Sequence, residues 1–143
     1  MGFQKKDSLI KWREKVGAEE ADNIARKAAN RGTKLHAVCE DYLYNKQIEP
    51  ASLDMGTLDL FSTIKSEVER IDDILGIELQ LFSEYLGVAG TADCIASFDG
   101  KRSIIDFKTS TRPKKEEWID DYFMQTACYA VMFEELTKIP VPN

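Results

Sequence analysis

Two aspartates and a lysine near the middle of the sequence have the residue types and spacing that metal-assisted chemistry requires. Asp93 follows Gly90-Thr91-Ala92, and Asp106 and Lys108 stand two residues apart in the otherwise apolar run Ile104-Ile105-Asp106-Phe107-Lys108. Residues two apart on a strand share a face, so Asp106 and Lys108 would point the same way. Carboxylate oxygens suit Mg²⁺ or Mn²⁺, and a nearby ammonium can orient water or stabilise charge on a phosphoryl group. The chemistry that this implies is metal-assisted hydrolysis of a phosphodiester.

The same residues also have a simpler interpretation. Asp106 and Lys108 can form a solvated ion pair on an edge strand, and Asp93 can simply precede a turn. However, charged groups inside an apolar run are costly to bury unless they are paired or coordinate an ion. We therefore interpret the three residues as a site.

A hairpin would bring the two aspartates together. Asp99-Gly100 lies between two β-rich runs and is a strong signal for a two-residue turn, because both turn residues need positive φ. If Phe98 pairs with Lys101, Asp93 faces Asp106. The same register opposes two apolar pairs, Ile95 with Ile104 and Cys94 with Ile105. Opposed carboxylates are destabilising on a sheet unless a cation neutralises them, which again indicates a metal site.

Helices and strands must position these residues. Composition and apolar spacing predict helices at about residues 7–15, 18–30, 33–45, 50–76 and 116–136. Asp7 or Ser8 would cap the first helix, Arg31-Gly32-Thr33 would break or bend the chain after the second, and Pro50 or Ser52 would open the long fourth helix. Alternating patterns predict strands at 77–82, 91–98 and 101–109, with breaks at Gly87 and Gly90. We expect one domain over residues 1–143, with N-terminal helices at 7–75, a sheet at 76–110 and a last helix at 116–136.

Composition limits the classes of protein that remain. The chain has 143 residues, is 43% hydrophobic and carries a formal net charge of -6, which fits a globular domain. No apolar run approaches the roughly 18 residues of a membrane span and the first residues do not resemble a signal peptide, so we expect an intracellular, cytoplasmic location. Three cysteines without a CxxC pattern predict buried free thiols, at Cys39, Cys94 and Cys128.

The charge is distributed unevenly along the chain. Residues 51–99 hold two basic and ten acidic side chains, whereas residues 100–115 hold six basic side chains and one acidic. A low average charge would count against a nucleic-acid partner, but this basic stretch directly follows the proposed hairpin. The sequence therefore leaves room for a nucleic-acid substrate at the site.

Four motifs in order resemble one known family. They are Arg31-Gly32-Thr33-x-x-His36, Gly90-Thr91-Ala92-Asp93, Ile104-Ile105-Asp106-Phe107-Lys108-Thr109-Ser110 and Gln125-x-x-x-Tyr129. Together they resemble the RecB-like branch of the PD-(D/E)XK nucleases, and look closest to the group formed by a mitochondrial exonuclease and its phage relatives. The resemblance implies an α/β (α+β) fold with a restriction-endonuclease-like core, a mixed central sheet, a β-hairpin that carries the site, and flanking helices.

The resemblance also implies roles for individual residues. His36, Asp93, Asp106 and the Phe107 carbonyl would bind the metal, and Lys108 would be the catalytic lysine. Gln125 and Tyr129 would face the site and position either the substrate strand or Lys108. The other residues that would contact the strand are Thr109, Ser110, Arg31 and Arg112, with Lys34, Lys114 and Lys115 near its path. Glu40 either supports His36 or is a solvated helix acid, and Glu78 is interpreted as a surface carboxylate of its strand. Trp118 and Tyr122 either stack on bases or belong to the core.

The activity implied is that of a Mg²⁺- or Mn²⁺-dependent deoxyribonuclease. We expect an exonuclease that acts on single-stranded DNA ends in replication, repair or recombination. The alternatives are a structure-specific endonuclease with the same site, and an inactive module that binds nucleic acid or acts as a scaffold. Because members of the branch continue into further strands after the Gln-x-x-x-Tyr helix, we also expect C-terminal strands of the sheet to be missing from this chain.

Overall fold

The protein has four helices and three strands in the part of the chain that the structure, a computed structural model, describes. Backbone is described for residues 2–111 and 119–143, and side chains for residues 6–111 and 119–143. The helices are α1 (Gly2–Val16), α2 (Ala18–Leu43), α3 (Met55–Val68) and α4 (Asp120–Thr137), with a short 3₁₀ turn at Pro50–Ser52. The strands are β1 (Ile71–Ser83), β2 (Val88–Phe98) and β3 (Lys101–Ile105). The α+β fold class is confirmed.

The described strands form an antiparallel sheet in the order β1-β2-β3. Asp99 and Gly100 form the turn between β2 and β3 with φ values of 50° and 76°, as the turn chemistry predicts. Phe98 pairs with Lys101, and the two apolar pairs lie opposite each other in the expected register. The hairpin prediction is therefore confirmed from its turn as far as the pair of Cys94 with Ile105.

Helices cover both faces of this sheet. Ile95 packs against Met132 and Phe133 of α4, whereas Cys94 and Ala96 pack against the ends of α2 and α3. Alternation along β2 explains this division, because successive side chains point to opposite faces. Ile95 and Met132 are essentially fully buried, and burying side chains of this size stabilises the fold by roughly 1.5–3 kcal/mol each. The central strand is thus a rigid base for the residues at its end.

Helix α2 runs through Arg31-Gly32-Thr33 without interruption, so the predicted break is wrong. A glycine inside a helix costs only about 1 kcal/mol relative to alanine, and the apolar residues that follow it compensate by packing against α3. Leu35, Val38 and Cys39 form a buried cluster with Phe61. Because the helix is continuous and packed against α3, it fixes the position of His36 relative to the sheet.

The predicted long helix that ends near Gly76 is also wrong. Helix α3 begins at Met55, after Asp54 accepts a hydrogen bond from the Thr57 backbone N–H at 3.0 Å, and it ends at Val68. Ile71 already belongs to β1, where it pairs with Phe98 and packs beside Cys94. An isoleucine at helical spacing has therefore been recruited by the sheet, because tertiary pairing outweighs the weak local preference.

Other boundaries differ in smaller ways. Helix α1 already includes Asp7 and Ser8, so neither residue caps it, and Gly90 lies within β2 and does not break it. Strand β3 ends at Ile105, four residues before its predicted end at Thr109. The predicted start of the last helix at residue 116 lies outside the described residues. Cys39 and Cys94 are buried free thiols as predicted, whereas Cys128 is only partly buried.

No helix in the described parts of the chain is both long and apolar enough to cross a membrane.

Candidate active site

Asp93 lies at the centre of a cluster of polar groups, on the middle strand of the sheet. Its Oδ2 atom accepts a hydrogen bond from the Phe107 backbone N–H at 2.8 Å. Its Oδ1 atom lies 3.4 Å from His36 Nδ1, and its side chain is only 11% exposed. The carboxylate takes the Phe107 N–H that a further ladder bond would have used, which explains why β3 stops at Ile105 and the chain turns away there.

On either side of Asp93, the inward-facing side chains of β1 and β2 pack against different helices. Cys94 and Ile77 pack with α2 and α3, whereas Ala92 and Leu79, two residues further along each strand, pack with α4. Regular alternation would keep residues two apart on one face. The regular alternation of side chains is interrupted at Asp93 in β2 and at Glu78 in β1. Glu78 adopts the left-handed backbone conformation, with φ of 51°. This irregularity presents both carboxyl groups beside α2.

His36 reaches the cluster from α2. Its Nε2 atom lies 2.7 Å from the Phe107 carbonyl oxygen, and its ring meets the Phe107 ring edge-on with centroids 6.0 Å apart. The hydrogen bond with the Asp93 carboxylate raises the pKa of His36, and partial burial opposes this effect. The imidazole is therefore held between a carboxylate and a carbonyl oxygen, both of which are groups that bind divalent cations.

Glu78 joins His36 and Asp93. It is an exposed carboxylate of its strand, as the sequence predicts, but its position beside the other two side chains was not predicted. Ligand atoms of His36, Glu78 and Asp93 all lie within 4.8 Å of one another. Burial, followed by the negative charges of Asp93 and Glu40, raises the pKa of Glu78. An acid in the strand before the hairpin was the available signal, but the pairing of β1 with β2 was needed to place it. Two carboxylates with one imidazole form a donor set that fits a divalent cation.

Glu40 lies near the same group of ligands. It lines a surface depression together with Gly32, Thr33, His36 and Glu78. It is one helical turn from His36, and its charge acts on Glu78. Of the two interpretations that the sequence left open, this position favours a residue that belongs to the site.

Asp106 and Lys108 lie directly beyond the end of β3. Lys108 Nζ is 2.7 Å from Asp106 Oδ2, and the Asp106 side chain is 9% exposed. Burial raises the pKa of Asp106, Asp93 acts in the same direction, and the ion pair with Lys108 opposes both. Asp106 is therefore a nearly buried carboxylate that is paired with Lys108 and influenced by the charge of Asp93. The ladder between β2 and β3 ends at the pair of Cys94 with Ile105, so the opposition of Asp93 and Asp106 stays a prediction.

Gln125 and Tyr129 lie one turn apart on α4 and are joined to each other. Gln125 Nε2 donates a hydrogen bond to the Tyr129 hydroxyl at 2.8 Å, and Tyr129 is 7% exposed within the core. A Cβ atom at Gly90 would lie only 2.6 Å from Tyr129 Cε1, so the glycine lets the ring pack on the strand. The neighbouring Tyr122 is the α4 residue that contacts the lysine, since Lys108 Nζ lies 5.2 Å from the centre of its ring.

The remaining candidates fall into four groups. Arg31 Nε is buried and has no hydrogen-bond partner within the described ranges, and the adjacent Gly32 approaches Thr109 Oγ1, which would lie 3.8 Å from an added Cβ. Lys34 forms an ion pair at 2.9 Å with Asp54, the residue that caps α3. Ser110 lies among the described residues and makes an interaction of its own. The candidates that lie outside the described residues are Arg112, Lys114, Lys115 and Trp118.

Comparison with known proteins agrees with this arrangement. A family model described as the PD-(D/E)XK nuclease superfamily matches residues 18–142. Mitochondrial genome maintenance exonuclease 1 of Mus musculus is 26% identical over 110 residues, which are 74% of this chain and 32% of that protein. The Xenopus tropicalis protein of the same name is 26% identical over 132 residues, which are 85% of this chain and 36% of that protein. The chain thus spans about a third of the length of these relatives.

Proposed function

Because the chain belongs to the PD-(D/E)XK nuclease superfamily, we propose that it is a divalent-metal-dependent exonuclease that hydrolyses phosphodiester bonds at single-stranded DNA ends. The observation that carries this proposal is the convergence of His36, Glu78 and Asp93 next to the ion-paired Asp106 and Lys108. The name shared by the two relatives supports action as an exonuclease in genome maintenance. We extend this to a role in replication, repair or recombination. Preference for a single strand rests on the resemblance of the four sequence motifs.

The cation would be held by residues from four parts of the chain. His36 comes from α2, Glu78 from β1 and Asp93 from β2, while Asp106 and the Phe107 carbonyl follow β3. When bound, Mg²⁺ or Mn²⁺ would offset these negative charges and polarise the phosphoryl group of the substrate. Imidazole is an unusual ligand for Mg²⁺ and an acceptable one for Mn²⁺, so the presence of His36 favours testing both ions.

Lys108 would act on the reacting phosphate. Its ammonium is directed by Asp106 at 2.7 Å, and its side chain is 37% exposed, so substrate can approach it. A cation held in this way stabilises the charge that develops on a phosphoryl oxygen and can orient the attacking water by hydrogen bonding. Asp106 thereby serves both the cation and the lysine.

Other residues would hold the strand or the geometry around the site. Within the described residues the buried Nε–H of Arg31 has no hydrogen-bond partner, which suits a phosphate oxygen, and Thr109 lies beside the same turn of α2. Ser110 and Arg112 follow Thr109 in the chain and are proposed to contact the backbone of the strand. Gln125 and Tyr129 would act indirectly, by locking α4 onto Gly90 so that Tyr122 stays against Lys108.

The roles of Glu78 and Asp106 can be compared directly. We expect Glu78→Gln and Asp106→Asn each to weaken Mn²⁺ binding by at least about tenfold, because each removes a charged oxygen donor while keeping the shape of the side chain. Isothermal titration calorimetry with Mn²⁺ measures this effect on the purified chain. Glu84→Gln is a matched control, since Glu84 lies in the turn between β1 and β2, and it should bind Mn²⁺ as the wild type does. Unchanged affinity in Glu78→Gln would remove Glu78 from the ligand set.

The activity itself is tested with end-labelled DNA. We expect single-stranded substrate to be shortened from an end when Mg²⁺ or Mn²⁺ is present, duplex to be shortened more slowly, and closed circular single strands to stay intact. Chelation of the ion should stop the reaction, and an RNA strand of the same sequence measures the preference for DNA. Cutting of the closed circle would establish an endonuclease instead. Absence of hydrolysis together with strand binding would indicate an inactive binding or scaffold module.

A further inference from the structure

An apolar cavity adjoins the proposed catalytic residues on the α3 side of the sheet. Its volume is about 340 Å³, within the range of ligand pockets. Its apolar walls come from α2, α3 and all three strands: Leu35, Ile64, Val68, Ile71, Phe98 and Ile105. Its lining also includes Glu67 of α3 and the consecutive residues Asp106, Phe107 and Lys108. An unfilled apolar space is therefore continuous with the place where the phosphate would react.

The aromatic wall of this cavity is held in place from outside. The Arg70 guanidinium lies 4.3 Å from the centre of the Phe98 ring, and its Nε donates a hydrogen bond to Asp99 at 2.9 Å. Arg70 also forms an ion pair with Glu67 of α3. These contacts join the tip of the hairpin to the C-terminal end of α3, so the wall formed by Phe98 is linked to the wall formed by α3.

A larger depression, of about 540 Å³, has a different character. It lies between the end of α2 and the start of β1, and its charged lining residues are Lys46, Glu69, Asp72 and Asp73. The three carboxylates outnumber the one ammonium, which is paired with Asp41, so the depression would repel a phosphodiester backbone. No residue of the catalytic motif lines it. The apolar cavity is the one whose chemistry and position fit a part of the substrate.

We propose that the apolar cavity receives the unpaired nucleobase that adjoins the phosphate to be cleaved, an inference that rests on the function proposed above. A base is planar and apolar on its faces, and it is joined to the phosphate through one sugar, so it reaches the cavity when the phosphate reaches Lys108. A paired and stacked base must first leave its duplex to enter such a pocket. The cavity would therefore favour single strands, and its apolar walls would accept bases with little regard to sequence.

The test uses a labelled single strand that carries one internal abasic residue. As the wild-type enzyme shortens this strand, we expect the step at the abasic residue to be about tenfold slower than the same step on an intact strand, and fragments should accumulate there. Ile64→Phe places a larger side chain in the cavity, since Ile64 is a partly buried wall residue. This variant should cut intact strands about tenfold more slowly and should show no further delay at the abasic residue.

Leu60→Phe provides the matched control. Leu60 is also a partly buried residue of α3, but it is not part of the cavity wall, so this variant should keep the wild-type delay. Thermal unfolding of both variants identifies any loss of folding, and if Ile64→Phe does not fold, the delay in the wild type decides alone. Equal rates at intact and abasic positions would overturn the proposal while leaving the nuclease assignment in place. Failure to hydrolyse any strand would instead contradict the proposed function itself.

Discussion

Replacing Lys108 by methionine is expected to lower the rate of strand cleavage by about 10²- to 10³-fold while Mn²⁺ binding persists. The substitution removes the ammonium that lies 2.7 Å from Asp106, and methionine keeps most of the apolar stem near Tyr122. The lost energy is that of one positive charge placed where negative charge develops in the transition state. Single-turnover cleavage of a labelled strand measures the effect, and calorimetry with Mn²⁺ measures ion binding in the same preparation.

Lys101→Met is the matched control for this prediction. Lys101 is an exposed lysine at the first position of β3, at the turn end of the hairpin, so its removal changes the net charge equally without touching the site. We expect its cleavage rate to stay within about twofold of the wild type, the difference that a screened, distant charge allows. If Lys108→Met cleaved as fast as Lys101→Met, the lysine would have no part in the chemistry.

Asp93→Asn is expected to have the largest effect, a loss of about three orders of magnitude in cleavage together with loss of Mn²⁺ binding. Asparagine can still accept the Phe107 N–H, so the turn after β3 should survive, while the central negative charge is removed. A metal ion contributes several kcal/mol of charge stabilisation to the transition state, and each 1.4 kcal/mol or so corresponds to a factor of ten in rate. Cleavage assays and Mn²⁺ calorimetry report the two losses independently.

The single histidine of the chain supplies a further readout for Asp93→Asn. In chelator, with no ion present, the carboxylate of Asp93 raises the pKa of His36, so its removal should lower that pKa towards the ordinary value of 6.5. Proton NMR of the one imidazole follows this change without any activity measurement. Asp59→Asn, an exposed aspartate of α3, should leave the histidine titration, ion binding and cleavage unchanged. If Asp93→Asn kept the raised pKa of His36 and the full Mn²⁺ affinity of the wild type, the proposed metal site would be contradicted.

Local patterns in the sequence were enough to place several parts of the site. The two-residue turn at Asp99-Gly100 defines the hairpin register, because its backbone needs positive φ at both positions and so leaves little freedom in the pairing. From that register alone, Asp93 and Asp106 could be expected to face each other. The apolar run around Asp106 and Lys108 likewise predicted partly buried charges, and the structure buries Asp106 almost completely.

The helix boundaries could not be predicted in the same way. Arg31-Gly32-Thr33 is a local break signal, and Ile71 continues a helical spacing, yet the first lies inside α2 and the second inside β1. In both cases the preference of a few residues is worth about 1 kcal/mol or less, whereas packing and ladder pairing act over the whole element. These outcomes depend on partners far away in the sequence.

The sequence by itself determined the hairpin, its turn, the pair of aspartates with their lysine, and the likeness to one nuclease family. Only the tertiary structure decided that Glu78 lies with His36 and Asp93, because this requires both strands of the β1–β2 ribbon to change face at the same level. It also decided that Tyr129 packs on Gly90 inside the core and that Tyr122 meets Lys108. Turn and strand chemistry act between near neighbours, whereas the grouping of His36, Glu78 and Asp93 from three segments depends on how the whole chain packs.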